Sequence, residues 1–243
     1  MSLSVRAKHA YVAVVHGVRS VLAATGVLGA LDTWAGRSRT GLWVRSWFAV
    51  HDLDDLVALD TPWWTFAAAD EVEAFLADRV DARVFEWGSG ASTVWLSTRA
   101  SSVTSVEHDA AWARQLVPVL PGNATLILVE PRPCESPATA SSKAGFAGLD
   151  FTDYVAALDE VEGDFDVIVV DGRAREACLA RALRRLRPGG LVVVDNVERG
   201  RYRAAIGSLP SGPDGVSVRW TRGRTPALPY PTQTALVSRP VDE

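Results

Sequence analysis

The chain has 243 residues, 48% of them apolar and 22% charged, with a formal net charge of −4. That composition suits a packed globular protein and excludes wholesale disorder. The acidic balance, with a pI near 5.6, offers no general attraction for phosphate backbones or anionic lipid, so no nucleic-acid partner is expected.

From Tyr11 to Leu31 the chain is largely apolar, but His16 and Arg19 interrupt it and Gly17, Gly26 and Gly29 punctuate it. An Arg inside a span costs about 2.5 kcal/mol or more in hydrocarbon. A buried or interface-forming helix is therefore expected, with no membrane span, and no cleavage pattern marks a signal peptide. Residues 1–60 read as an N-terminal helical extension, because Val12, Val15 and Val18, then Trp43, Trp47 and Val50, recur at helical spacing. Apolar helix faces seek a partner, which predicts a homodimer through these helices. Cys134 and Cys178 fit neither a disulfide framework nor a zinc site, so a cytoplasmic chain with reduced thiols is expected.

Trp63 and Trp64 follow Pro62, where they could wall a substrate or anchor the extension to the core. Residues 70–79 carry Val72, Phe75 and Leu76 at helical spacing. Beyond Asp81 the pattern changes. Short runs rich in Val and Ile at 82–87, 102–106, 124–129, 166–170 and 191–194 alternate with stretches long enough for helices. Such runs suit strands buried on both faces of a doubly wound parallel sheet. Residues 216–222 and 232–239 read as an antiparallel strand pair at the sheet edge. Residues 61–243 thus form one domain, and 131–149 a long loop at the carboxyl edge, where ligands bind in such sheets.

The informative residues are Val84-Phe85-Glu86-Trp87-Gly88-Ser89-Gly90-Ala91-Ser92-Thr93. A strand runs into a glycine turn that opens a helix. Gly88 and Gly90 let a ligand approach the backbone closely. Ser92 or Thr93 is placed to cap the helix and leave N–H groups facing the ligand. Glu107 stands 17 positions after Gly90, at the tip of the next strand. A carboxylate there suits the two hydroxyls of a ribose. An acid at Glu86 would be unfavourable beside a pyrophosphate but suits a positively charged ligand.

Together with Asp166–Gly172 and Pro188-Gly189-Gly190, these residues resemble class I S-adenosylmethionine-dependent methyltransferases. The stretch from Phe85 to Leu96 looks like a bacterial subgroup of that superfamily. The resemblance covers roughly residues 61–239 and implies a Rossmann-like, mostly parallel seven-stranded α/β sheet. By that resemblance Glu86 and the turn Gly88-Ser89-Gly90, with Ser92 and Thr93, lie beside the methionine moiety. It further implies that Glu107 binds the ribose, that His108 lies near the adenine, and that Asp171 borders the same pocket. Ser92 stands where many members carry a third glycine.

Methyl transfer needs an aligned, deprotonated nucleophile, and two routes fit the residues. In the first, Asp171, Asp195 and Asn196, at the ends of two strands, resemble the Mg²⁺ ligands of metal-dependent O-methyltransferases; Ala174 stands where those carry lysine. In the second, a general base acts, His51 and His108 being the candidates, the first because Asp52, Asp54 and Asp55 follow it. The expected activity is methylation of a small molecule, most simply at oxygen. A non-catalytic binding protein and a nucleic-acid or protein N-methyltransferase are the alternatives, although no Asn/Asp-Pro-Pro-Tyr/Phe segment is present.

Overall fold

The computed structural model describes residues 14–15, 17–50, 52–210 and 215–240. His51, His16 and Val12 lie outside the described residues. Residues 17–24 are helical, followed by α1 (Val27–Ala35), α2 (Arg39–Ser46), α3 (Leu53–Ala58) and α4 (Phe66–Ala77). The helical reading of the extension thus holds over its described part, broken into short segments. The last three breaks are capped: Ser38 accepts the Gly41 N–H at 2.9 Å, Asp52 that of Asp55 at 3.1 Å, and Thr65 that of Ala68 at 3.3 Å.

An ion network ties these helices together. The buried Arg45 donates to both carboxylate oxygens of Asp55, at 2.9 and 2.5 Å, and to Asp32 at 2.5 Å. Arg19 reaches Asp52 at 2.7 Å and Asp55 at 3.1 Å. Burial opposes the charge on Arg45, but Asp55 and Asp32 outweigh it and raise its pKa. No described helix is long and apolar enough to cross a membrane.

The sheet follows in chain order: β1 (Arg83–Trp87), α5 (Ala91–Ser97), β2 (Ser102–Glu107), α6 (Ala110–Leu116) and β3 (Ala124–Leu128). Next come β4 (Arg132–Pro133), β5 (Leu149–Asp150), α7 (Thr152–Ala156), β6 (Phe165–Val170) and α8 (Arg175–Ala182). The chain then adds β7 (Leu186–Asp195), α9 (Gly200–Gly207), β8 (Ser217–Gly223) and β9 (Thr232–Ser238). The seven-stranded sheet runs β3-β2-β1-β6-β7-β9-β8. Pairs from β3 to β7 are parallel, and β9 runs antiparallel to both β7 and β8. The strand order reverses between β1 and β6, the crevice where such sheets take ligands.

The apolar runs are continuous because both faces are covered. Phe85, Trp87, Ile168, Val170, Val192 and Val194 pack on one face with α7 and α8. Val84, Val167, Val169 and Val193 pack on the other with α4 and α5. β7 begins five residues before the expected strand, at Leu186, and takes in Pro188-Gly189-Gly190. A register shift opposite Phe165 and Val167 accommodates that start.

The segment 131–149, expected as a loop, is closed by the antiparallel β4–β5 pair. Asp150 accepts N–H groups of Ala138, Thr139 and Thr152, at 3.0, 3.3 and 2.8 Å, and so holds its shape. Of the four arginines at 181–187 three are paired, and Arg184 is exposed. Arg181 pairs with Asp159, Arg185 with Asp164 at 3.3 Å, and Arg187 with Asp166 at 2.8 Å.

Candidate active site

Strand alternation places Glu86 on the same face as Val84, beneath α5. Its carboxylate is fully buried and accepts hydroxyl hydrogen bonds from Ser92 and Thr93 at 2.5 Å and Ser105 at 2.8 Å. Ser105 reaches it because β1 and β2 pair in parallel with Glu86 opposite Ser105. Burial pushes the Glu86 carboxyl up to about 7, although the three hydroxyls pull the other way. Thr93 caps α5 from within its first turn, and Ser92 does not. Gly90 is the cap residue, both hydroxyls turn inward to Glu86, and Thr93 also accepts the Gly90 N–H at 3.0 Å. The physical reason for Ser92 is local: a buried carboxylate needs donors more than the helix end needs a second side-chain cap.

The turn itself is held on both sides. Gly88 has φ +100°, and a Cβ there would meet the Gly172 nitrogen at 2.6 Å. The Trp112 indole donates to the Ser89 carbonyl at 2.9 Å. A Cβ on Gly90, by contrast, would meet nothing within 4 Å, so space is open in front of the turn.

Glu107 is 3% exposed at the end of β2. Its Oε1 accepts the N–H groups of His108 and Asp109, at 2.7 and 2.8 Å, and His108 Nδ1 stands 2.6 Å away. Among the described residues no donor reaches Oε2. His108 Nε2 accepts from Arg173 Nε at 3.3 Å, which leaves the ring proton on Nδ1, facing Glu107. The ring is packed among Phe146, Phe151 and Tyr154, with centroids 5.4, 6.0 and 6.0 Å away. Segment 131–149 therefore contributes a wall through Phe146, over which Arg173 also lies.

Asp171 follows β6, and its N–H bonds to the Trp87 carbonyl at 3.0 Å, beside the turn. Arg175, four residues on, is buried against it. The guanidinium pairs with Asp171 Oδ1 at 2.7 Å and donates to the main-chain oxygens of Asp171 at 2.6 Å, Gly172 at 3.1 Å and Asp195 at 2.5 Å. Asp195 accepts from Thr234 at 2.7 Å on one oxygen and from Asn196 at 2.5 Å on the other. Burial and the neighbouring Asp171 push Asp195 up to about 8. Burial also raises Asp171, against the pull of Arg175, Arg173 and the Trp64 indole.

Asp171, Asp195 and Asn196 are thus brought together, but they do not fit a divalent metal. Both Asp195 oxygens and Oδ1 of Asp171 already face donors, and a cation, the Arg175 guanidinium, is in place. Among the described residues no cluster of three His, Cys, Asp or Glu is arranged to hold one.

Trp64 is fully buried in the core against Trp95, at 5.9 Å, so it cannot wall a substrate; only its indole N–H bears on Asp171. Trp63 is half-buried beside Ala49, Leu56 and Ala91. The sequence reading missed Ser105, Phe146, Arg173 and Arg175. Arg175 had a signal, since i,i+4 across a strand-to-helix turn is reachable from Asp171; Phe146 had none.

Residues 85–197 match a family model described as a methyltransferase domain. That segment spans β1 to the end of β7 and contains Glu86, Glu107, Asp171 and Asp195. The O-methyltransferase of Bacillus cereus, solved with S-adenosylhomocysteine, is 18% identical over 77% of this chain and 90% of its own, with a TM-score of 0.51. The O-methyltransferase TomG of Streptomyces achromogenes, involved in tomaymycin synthesis and solved with S-adenosylmethionine, is 18% identical over 71% of this chain and 80% of its own, with a TM-score of 0.51. No curated protein matches the chain in sequence. Residues 85–197 thus resemble a methyltransferase domain, and the chain shares the fold of solved O-methyltransferases.

Proposed function

We propose that this domain binds S-adenosylmethionine across the carboxyl ends of β1 and β2 and transfers its methyl group to a hydroxyl of a small molecule. The observation that carries the reading is Glu107, a buried carboxylate with one oxygen held by its own backbone and the other unpartnered. That oxygen is open to a ligand donor, and a ribose supplies two. The open space in front of Gly90 fits the same ligand, with turn N–H groups at hand.

When bound, S-adenosylmethionine supplies an electrophilic methyl on a sulfonium. The chain supplies position and proton handling. Glu107 orients the sugar, and Glu86 acts through Ser92, Thr93 and Ser105 to hold the turn rather than by contact. His108 and Phe146 offer ring faces at the end of β2. Asp171 has one oxygen on Arg175 and a raised pKa, which suits it to take a hydroxyl proton from the acceptor. A small acceptor is favoured over nucleic acid because three of the four arginines at 181–187 are paired with Asp159, Asp164 and Asp166.

Calorimetry with S-adenosylhomocysteine tests the binding site. Glu107→Gln should weaken binding about 10- to 100-fold, the worth of one hydrogen bond to a charged group. Failure of the wild-type chain to bind either nucleoside at millimolar concentration would overturn the proposal. Asp171→Asn should retain binding and lose turnover on hydroxylated acceptors.

The same proposal takes the chain as a cytoplasmic homodimer. Free Cys134 and Cys178 fit the first, and exposed Val18, Val21, Val27 and Trp34 fit the second. Light scattering that gives a monomer would remove the dimer.

A further inference from the structure

We infer that the Arg175 guanidinium takes the place of a divalent cation at the carboxyl ends of β6 and β7, so that this centre is built to work without metal. A hard divalent cation binds oxygen ligands, carboxylates and carbonyls among them. Four oxygens that could ligate one here are engaged by one side chain at 2.5–3.1 Å, Asp171 Oδ1 by an ion pair and the carbonyls of Asp171, Gly172 and Asp195 by hydrogen bonds.

The Asp195 carboxylate is closed as well. Asp195 is 2% exposed, with Thr234 on one oxygen and Asn196 on the other. Asn196 contributes its amide nitrogen to that contact, so it acts as a donor here. Arg175 is itself only 4% exposed and cannot swing to solvent without leaving Asp171 and the buried carbonyls unpaired. Its planar fork spans β6, the turn after it and β7, holding both strand ends at once. Ala174 before it has φ +49°, which turns the chain so that Arg175 opens α8 and points back at Asp171.

Arg175 is a positioning residue and would play this part whatever the chain methylates. The test is metal binding by the full chain, read by the electron paramagnetic resonance of free Mn²⁺, with thermal unfolding in Mg²⁺ or EDTA alongside. The wild-type chain should bind no stoichiometric Mn²⁺ at millimolar concentration and keep its melting temperature in EDTA. Arg175→Ala frees four oxygens and should gain at least about tenfold in Mn²⁺ affinity, lost again when Asp171→Asn is added. Arg175→Lys keeps the charge and should bind no Mn²⁺, while melting lower because one ammonium cannot span four oxygens.

A wild-type site for one Mn²⁺ that Asp171→Asn abolishes overturns the inference. So does a folded Arg175→Ala chain that binds no more Mn²⁺ than wild type. Should Arg175→Ala fail to fold, the wild-type titration decides alone. S-adenosylhomocysteine binding, measured in parallel, separates failure of this inference from failure of the proposed activity.

Discussion

The Thr93 hydroxyl donates to Glu86 at 2.5 Å and accepts the Gly90 N–H at 3.0 Å, so one side chain fixes the buried carboxylate and the glycine turn together. Its removal should therefore be felt at both ends. Thr93→Val keeps the shape but leaves a buried carboxylate short of a donor and a backbone N–H short of an acceptor. A loss of about 1–3 kcal/mol is expected from urea unfolding, together with weaker S-adenosylhomocysteine binding. An unchanged unfolding midpoint would show that the bonds matter little.

Glu86 also sets a pH dependence. Its folded pKa, about 7, lies above the ordinary value of 4.5, so the folded chain holds a proton that the unfolded chain releases. Stability from this group is complete below pH 4.5 and is lost as pH rises through 7. Asp195, at about 8, prolongs the fall. Unfolding free energies measured from pH 5 to 8 should decline, by on the order of 3 kcal/mol for Glu86 alone. Glu86→Gln should flatten the part below 7, and equal slopes for both proteins would refute the assignment.

Gly88 has φ +100° and faces the Gly172 backbone at a distance that leaves no room for a methyl group. Gly88→Ala should cost about 2 kcal/mol or more, through strain and the forced separation of β1 from β6. Thermal unfolding measures it, and Gly90→Ala serves as the comparison because a Cβ there meets nothing. Equal melting temperatures for the two variants would contradict the close approach.

Arg45 joins α2 to α3 through Asp55 and to α1 through Asp32. Arg45→Met leaves Asp55 buried with only Arg19, at 3.1 Å, to balance it. Removing one partner of a buried pair costs about 3–5 kcal/mol. Limited proteolysis should then cut before Phe66 while 85–197 resists. Uniform resistance would mean that the helices are held by packing instead.

Much of the frame was legible in the chain itself. The unbroken Val and Ile runs of β6 and β7 declare strands covered on both faces, and Gly88-Ser89-Gly90 after an apolar run declares the turn, because both signals are local. The start of β7 at Leu186 was not legible, since Pro188 and Gly189 read as loop until pairing with β6 pulls them into the strand. Ser92 and Thr93 were placed correctly at the start of α5, and Thr93 does cap it, but their grip on the buried Glu86 was not legible.

What the linear order determined is the α/β alternation, the glycine turn and the position of Glu107 at a strand tip. Those follow from periodicity and from the φ freedom of glycine. Only the tertiary structure decided what the polar groups do with one another. Ser105 meets Glu86 through strand register, and Phe146 reaches His108 because β4 and β5 fold 131–149 back. Arg175 reaches Asp195 because β6 and β7 lie side by side. A buried polar group takes whichever partner lies within about 3 Å, and that distance is set by packing between segments far apart in the chain.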